Sequence, residues 1–323
     1  MSPRPSSERG AALLTVLLLV AIVAVLAATA LERLRLSTRL AANAVAIDQA
    51  RGYAYAAETL ALTRVTALLR QSPDRVALYG GWSGRPFGLP IPGGTATARV
   101  TDGGNCFNLN GLVTRGQDGS YVANPLQVAR LARLTRVLRL PDGDRLAAAA
   151  ADFIDSDDVP LPLGAEDTSY RGRRTAGTLM VDPSELRAVE GVTPDAYRTL
   201  RPWLCTLPVA DPSVINLNTL SPEQAPLLAM LLPDGASVEQ ARAVLLRRPD
   251  TGFASTDVVW NQLSLGGAQV PDGDARQQTA GKTVWFRLAV DVVSGGAELH
   301  ESALIDARRL PARLATRQWG DAP

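Results

Sequence analysis

Six carboxylates fall within sixteen residues of this 323-residue chain: Asp152, Asp155, Asp157, Asp158, Glu166 and Asp167. Asp152 and Asp155 are spaced to sit one turn apart at a helix end, and the others flank a Pro-Leu-Pro-Leu-Gly loop, residues 160–164. Calcium takes about six to eight hard oxygens, and clustered carboxylates with loop carbonyls can supply them. The spacing is not that of an EF-hand, because Pro160 stands where that loop needs glycine. Magnesium, which keeps its waters and prefers phosphates, suits such a cage less well. On spacing alone two readings stay open, a solvated acidic turn and a metal site.

Little else in the chain suggests chemistry. The one histidine, His300, lies in an alternating stretch and reads as a strand residue. No Gly-x-Ser-x-Gly, His-Glu-x-x-His or phosphate loop is present, so no enzyme is expected. Formal net charge is +1, and Lys282 is the only lysine. Arg242, Arg247 and Arg248 sit among helices arranged like helix-hairpin-helix modules, but nearby carboxylates nearly balance them. Without a basic stripe and interleaved aromatics, a packing role is expected there and no nucleic-acid partner.

Two cysteines occur, Cys106 and Cys205. Their state depends on the compartment, which the N-terminus decides. Ala11 to Leu31 form 21 residues without a charge. As a helix they span ~31 Å, about one hydrocarbon core. Arg4 and Arg9 precede the run against a single Glu8, which keeps residues 1–10 in the cytoplasm and sends the rest across. A cleaved secretory signal, a plain anchor and a prepilin leader are the competing readings. The helical pattern continues past the run: Glu32 to Gln71 holds no proline and one glycine, Gly52. One long helix, half in lipid and half beyond it, accounts for the stretch. In an oxidising space Cys106 and Cys205 have one possible intramolecular pairing, and a loop of about 100 residues would be worth ~4.7 kcal/mol by chain entropy.

Beyond Pro73, residues 72–95 are rich in glycine and proline and read as a loop feeding a strand, Thr95 to Thr101. Val284 to Val293 alternates, Ser294-Gly295-Gly296 turns, and Glu298 to Ala307 returns, which predicts a hairpin. Between lies a helical block with start signals at Asp182-Pro183, Thr193-Pro194, Ser221-Pro222 and Ser237-Val238. The expected fold class is α+β, a small antiparallel sheet interrupted by a large inserted all-α domain. Phe107-Asn-Leu-Asn-Gly-Leu112 and Ile215-Asn-Leu-Asn-Thr-Leu220 echo one another, too briefly to establish a repeat.

The string from Glu8 to Val23 resembles a prepilin peptidase site, implying cleavage between Gly10 and Ala11 and methylation of Ala11. Cys-Phe-Asn-Leu-Asn at 106–110, Phe-Ile-Asp-Ser-Asp-Asp at 153–158 and Gly-Ala-Glu-Asp at 164–167 resemble segments of the K-type minor pseudopilins of type II secretion. Ser-Glu-Leu-Arg-Ala-Val-Glu-Gly-Val at 184–192 and Ile-Asn-Leu-Asn-Thr at 215–219 follow in the family's order. The fifth position after the cleavage is Thr15, where most pilins carry glutamate; lack of that glutamate marks the K type.

The resemblance implies a pilin-like fold whose long membrane helix packs on the sheet. It divides the chain into a leader (1–10), a membrane half-helix (11–31), a first pilin-like part (32–105), an inserted helical domain (106–280), a second pilin-like part (281–310) and a tail (311–323). It implies calcium bound through Asp155, Asp157, Asp158, Glu166 and Asp167. It also implies a single-pass inner-membrane protein with its bulk in the periplasm. There it would cap and initiate a secretion pseudopilus with I- and J-type minor pseudopilins, the major pseudopilin, the inner-membrane assembly platform and prepilin peptidase. A minor pilin of a pilus or competence system, and an exported DNA- or metal-binding protein with a cleaved signal, are the alternatives.

Overall fold

One helix, α1 (Ser7–Gln71), runs for 65 residues without a break. The computed structural model describes residues 7–232, 237–267 and 273–320, and of residues 7–10 the backbone alone. Residues 11–45 of α1 are exposed throughout, including the apolar run. From there a stripe of small residues, Ala46, Ala50, Ala54, Ala57 and Ala61, followed by Val65 and Leu69, is buried. Their spacing of three and four places them on one helix face, and their small size lets a sheet approach closely.

After α1 come β1 (Phe87–Leu89) and β2 (Gly94–Asp102). The inserted segment follows with β3 (Phe107–Asn108), β4 (Val113–Arg115), β5 (Tyr121–Ala123), α2 (Pro125–Val137), α3 (Gly143–Asp152) and α4 (Pro194–Leu200). Next are β6 (Leu204–Cys205), β7 (Ile215–Asn216), α5 (Ala225–Ala229), α6 (Val238–Leu246), α7 (Thr256–Leu265), α8 (Gly273–Gln277) and β8 (Thr279–Ala280). The chain closes with β9 (Trp285–Ser294), β10 (Ala297–Asp306) and β11 (Arg313–Trp319).

The main sheet is antiparallel throughout, in the order β1-β2-β9-β10-β11. Phe286, Leu288, Val290 and Val292 alternate toward α1 and meet its small-residue stripe. The β9–β10 turn is made by Gly295 and Gly296, both at positive φ (59° and 83°), as a two-residue hairpin requires. Gly94 sits so close to β9 that a Cβ there would lie 2.0 Å from the Val293 carbonyl oxygen.

Both ends of the insertion leave the same end of the sheet, where Asp102 of β2 faces Phe286 of β9. That end lies far along α1. Gly295, at the opposite end of the sheet, is against Ala46, whereas the Val76 amide, just past the helix, donates to Gly281. The inserted domain therefore sits at the end of the pilin-like unit farthest from the apolar run. It is mainly helical, with three short strand pairs: β3 with β6, β4 with β5, and β7 with β8. Each helix start signal is used. Asp182 and Ser237 form capping boxes, Thr193 caps α4, and Ser221 caps the 3-10 turn leading into α5.

Three elements differ from the sequence expectation. Residues 87–89, placed in a loop, form β1, too short between glycines and prolines to show alternation. The inserted block is not all helix, because its strand pairs of two or three residues are below any periodic signal. The segment expected as a tail supplies the edge strand β11, whose Leu314 packs against the core and whose Trp319 ring meets Tyr55 of α1 edge-on.

Candidate functional site

The helix α3 delivers Asp152 as its last residue, and the chain turns so that Asp155 follows on the same side. The amide of Asp155 donates to the Ala151 carbonyl, extending the turn. Residues 160–164 then fold back over the helix end. The amides of Leu161 and Ala165 both donate to the Asp152 carboxylate, the latter at 2.7 Å. Leu163 takes a positive φ of 70° to make this return. Gly164 is a spatial necessity, since a Cβ there would lie 1.8 Å from Asp152 Oδ2. The next residue but one is Glu166, aimed back into the same place.

Asp152, Asp155 and Glu166 are all buried and each offers an oxygen within 4.8 Å of the others. Two ligands that each lie about 2.4 Å from one cation can be at most about 4.8 Å apart, so the three oxygens fit a common ion. Asp155 Oδ1 and both Glu166 carboxylate oxygens are buried with no hydrogen-bond partner. Burial, then the charges of Asp157, Glu166 and Asp152, push the Asp155 carboxyl up to about 8. Burial, then the charges of Asp152 and Asp157 foremost, push Glu166 up to about 7. Asp152 is also raised by burial, against its two backbone hydrogen bonds. Buried, unpaired carboxylates are costly unless protonated or neutralised, and a hard cation is the neutraliser this donor set fits.

The other acidic residues are placed differently. Asp157 is exposed and its Oδ1 accepts from the Val159 amide at 2.8 Å. Asp158 is exposed. Asp167 opens a short 3-10 turn and accepts from the amide and hydroxyl of Thr175, with Arg174 3.7 Å away. Asp152, which the sequence placed in the cluster but not among the chosen ligands, stands at its centre. Its position at the helix end one turn before Asp155 was the signal.

The remaining candidate residues resolve simply. Cys106 and Cys205 form a disulfide with Cα atoms 5.8 Å apart, where β3 runs beside β6. Arg248 donates to the carbonyls of Leu217 and Leu220 and so serves packing, and Arg242 makes a surface ion pair with Glu239 at 3.9 Å on the same helix. His300 lies on β10 with Nδ1 2.7 Å from an Asp291 carboxylate oxygen. Ala11 and Thr15 lie within α1, and the Thr15 hydroxyl donates to the Ala12 carbonyl at 2.8 Å. Gly10 is helical in its backbone, and the leader residues 1–6 lie outside the described residues.

Two family models, each described as type II secretion system (T2SS), protein K, match residues 105–209 and 215–280. The chain belongs to that family. A type II secretion system protein K of Pectobacterium carotovorum subsp. carotovorum is 34% identical, the alignment covering 98% of this chain and 97% of the relative. The corresponding protein of Klebsiella pneumoniae is 33% identical, with 97% of each chain covered. A solved chain from the GspK-GspI-GspJ complex of the enterotoxigenic Escherichia coli type 2 secretion system superposes with a TM-score of 0.72. It is 30% identical and covers 85% of this chain and 96% of its own. The expected fold, a long apolar helix on a small sheet with an inserted helical domain, is the fold found.

Proposed function

We propose that the chain is a minor pseudopilin that caps the tip of the type II secretion pseudopilus and initiates its assembly. The observation that carries this reading is where the inserted domain sits. It hangs from the end of the sheet farthest from the apolar run of α1, roughly 35 Å along the helix from Ala46 by helical rise. In a filament of parallel pilin helices, that bulk projects beyond the subunit and would clash with a neighbour stacked above it. At the tip it meets nothing. The fold neighbour comes from a complex with GspI and GspJ, which supports I- and J-type minor pseudopilins as partners. The major pseudopilin would then add beneath, driven from the inner-membrane assembly platform.

In this reading residues 11–31 anchor the chain once in the inner membrane and the rest faces the periplasm. Prepilin peptidase cleaves between Gly10 and Ala11, and Ala11 is methylated. Thr15, whose hydroxyl is satisfied within its own helix, presents no carboxylate to the amine of a subunit above. That suits a subunit with none above it. The role is structural, not catalytic. Asp152, Asp155 and Glu166 would hold calcium, which would supply the positive charge their buried carboxylates lack and fix the 152–177 loop to the end of α3. Gold-labelled antibody against this chain on sheared pseudopili tests the placement. Label confined to one filament end supports it, and label spread along the shaft overturns it.

A further inference from the structure

The outer face of the sheet, away from α1, meets the inserted domain across a cleft of about 140 Å³. Its floor carries Arg287 of β9 and Thr316 and Gln318 of β11, and its wall carries Asp182, Arg201 and Thr206. Arg201 Nε is buried with no hydrogen-bond partner. Arg287 is exposed at the mouth, yet surrounding atoms and then the charge of Arg201 disfavour its cation. Among the described residues no hydrogen bond or ion pair reaches either guanidinium. Asp182 is already engaged, accepting from the Ser184 amide at 2.8 Å and from Gln318 at 3.4 Å. Two like charges thus face one cavity with hydroxyl and amide groups around them and a single carboxylate, Asp182, whose charge Arg201 already favours.

We propose that this cleft is a carboxylate-binding site that takes one acidic side chain of a partner protein chain, clamped between Arg287 of the sheet and Arg201 of the inserted domain. Charge selects the class. Two arginines with Asp182 leave a single positive charge, which one carboxylate neutralises; a phosphate near −2 would add a surplus negative charge beside Asp182. Size selects the source. The cleft, at about 140 Å³, is smaller than the 300–1,000 Å³ typical of small-molecule sites and suits the tip of one acidic side chain. A free ion with so few contacts would pay its full loss of translational freedom, whereas a side chain on a docked chain would not. Occupation would also brace the inserted domain against the sheet, because each unit supplies one arginine.

Arginine Nε–H signals of the full chain in detergent micelles read the site directly. The probes are N-acetylglutamate amide, N-acetylglutamine amide and inorganic phosphate, each at millimolar concentration. Saturable movement of the Arg201 and Arg287 signals with the glutamate probe alone, lost in Arg287→Gln, is the expected result. Movement with phosphate but not glutamate makes the cleft a phosphate site and overturns the proposal, as does no movement with either. Arg287→Gln should melt no lower than the parent, because it removes one of two facing cations. A lower melting temperature with glutamate binding retained would show that Arg287 is structural and overturn the clamp.

Discussion

Glu166 has both carboxylate oxygens buried without a partner, and Asp155 has one. Removing a bound cation from such a site leaves facing negative charges, so calcium should raise the melting temperature by mass action. Asp155→Ala and Glu166→Ala should abolish that rise, whereas Asp157→Ala and Asp158→Ala, whose side chains are exposed, should largely keep it. A calorimetric scan with calcium against one with chelator decides this, and an unchanged parent melt would sink the site. The acidic run at 152–167 was legible in the sequence, but its geometry was not. Spacing shows which carboxylates are neighbours; only the return through Leu163 and Gly164 decides which three converge.

A pair of carboxylates, Glu58 and Glu301, is buried where α1 meets the sheet. Arg317 donates to both oxygens of Glu58, and Glu301 sits beside them with Arg317 Nε 3.8 Å away. Burial, then the Glu58 carboxylate, pushes Glu301 up to about 8. Glu58 is held below its usual range: burial opposes this, but the Arg317 hydrogen bonds prevail. For a raised carboxyl, stability is fully present below the unfolded value of 4.5 and is lost as pH rises through about 8. Glu301→Gln should therefore flatten the fall in melting temperature between about pH 4.5 and about pH 8 relative to the parent. Parallel slopes for parent and variant would show that Glu301 is not the titrating group.

Among the elements, the two Asn-Leu-Asn copies turn out to do the same work. Asn108 Oδ1 accepts from the Asn110 amide and from Leu207, while its Nδ2 donates to Val209 and Asp211. Asn216 Oδ1 accepts from the Asn218 amide, and its Nδ2 donates to Val76 and Asp102. The second asparagine of each copy then ties down a distant loop, Asn110 to Met180 and Asn218 to Phe253. Each copy begins a strand that pairs in parallel with the end of its own half, β3 with β6 and β7 with β8. Six residues could not show a repeat, because the shared feature is hydrogen bonding across some 65 to 100 residues of intervening chain. Asn108→Ala and Asn216→Ala each leave several buried backbone groups unpaired and should cost about 2–4 kcal/mol in denaturant unfolding. Costs below about 0.5 kcal/mol, the scale of a surface change, would show that water replaces the carboxamides.

At the level of the whole molecule, the insertion is a removable unit by connectivity and a fixed one by bonding. Its two ends meet where β2 faces β9, so a short glycine-rich linker from Gly103 to Thr283 could close the sheet without it. Yet it is held there by more than the chain. Asp102, half-buried, accepts from the Thr219 hydroxyl and the Asn216 side-chain amide, Lys282 Nζ donates to Pro73 at 3.0 Å, and the disulfide packs with Trp285 and Leu207 against the sheet. Excision would expose Trp285 and strand Asp102 without those partners, so the shortened chain should be less stable. The α1–sheet core, built from the alanine stripe and Phe286, Leu288, Val290 and Val292, remains whole. The shortened chain should still enter the membrane and be processed. With no bulk left beyond the end of the sheet, it should lose confinement to the filament end. The expected outcome is gold label along the shaft, together with a loss of exported protein. Label that stays at one end after excision would mean that α1 itself, through Thr15 and its exposed face, sets the tip position and the inserted domain does not.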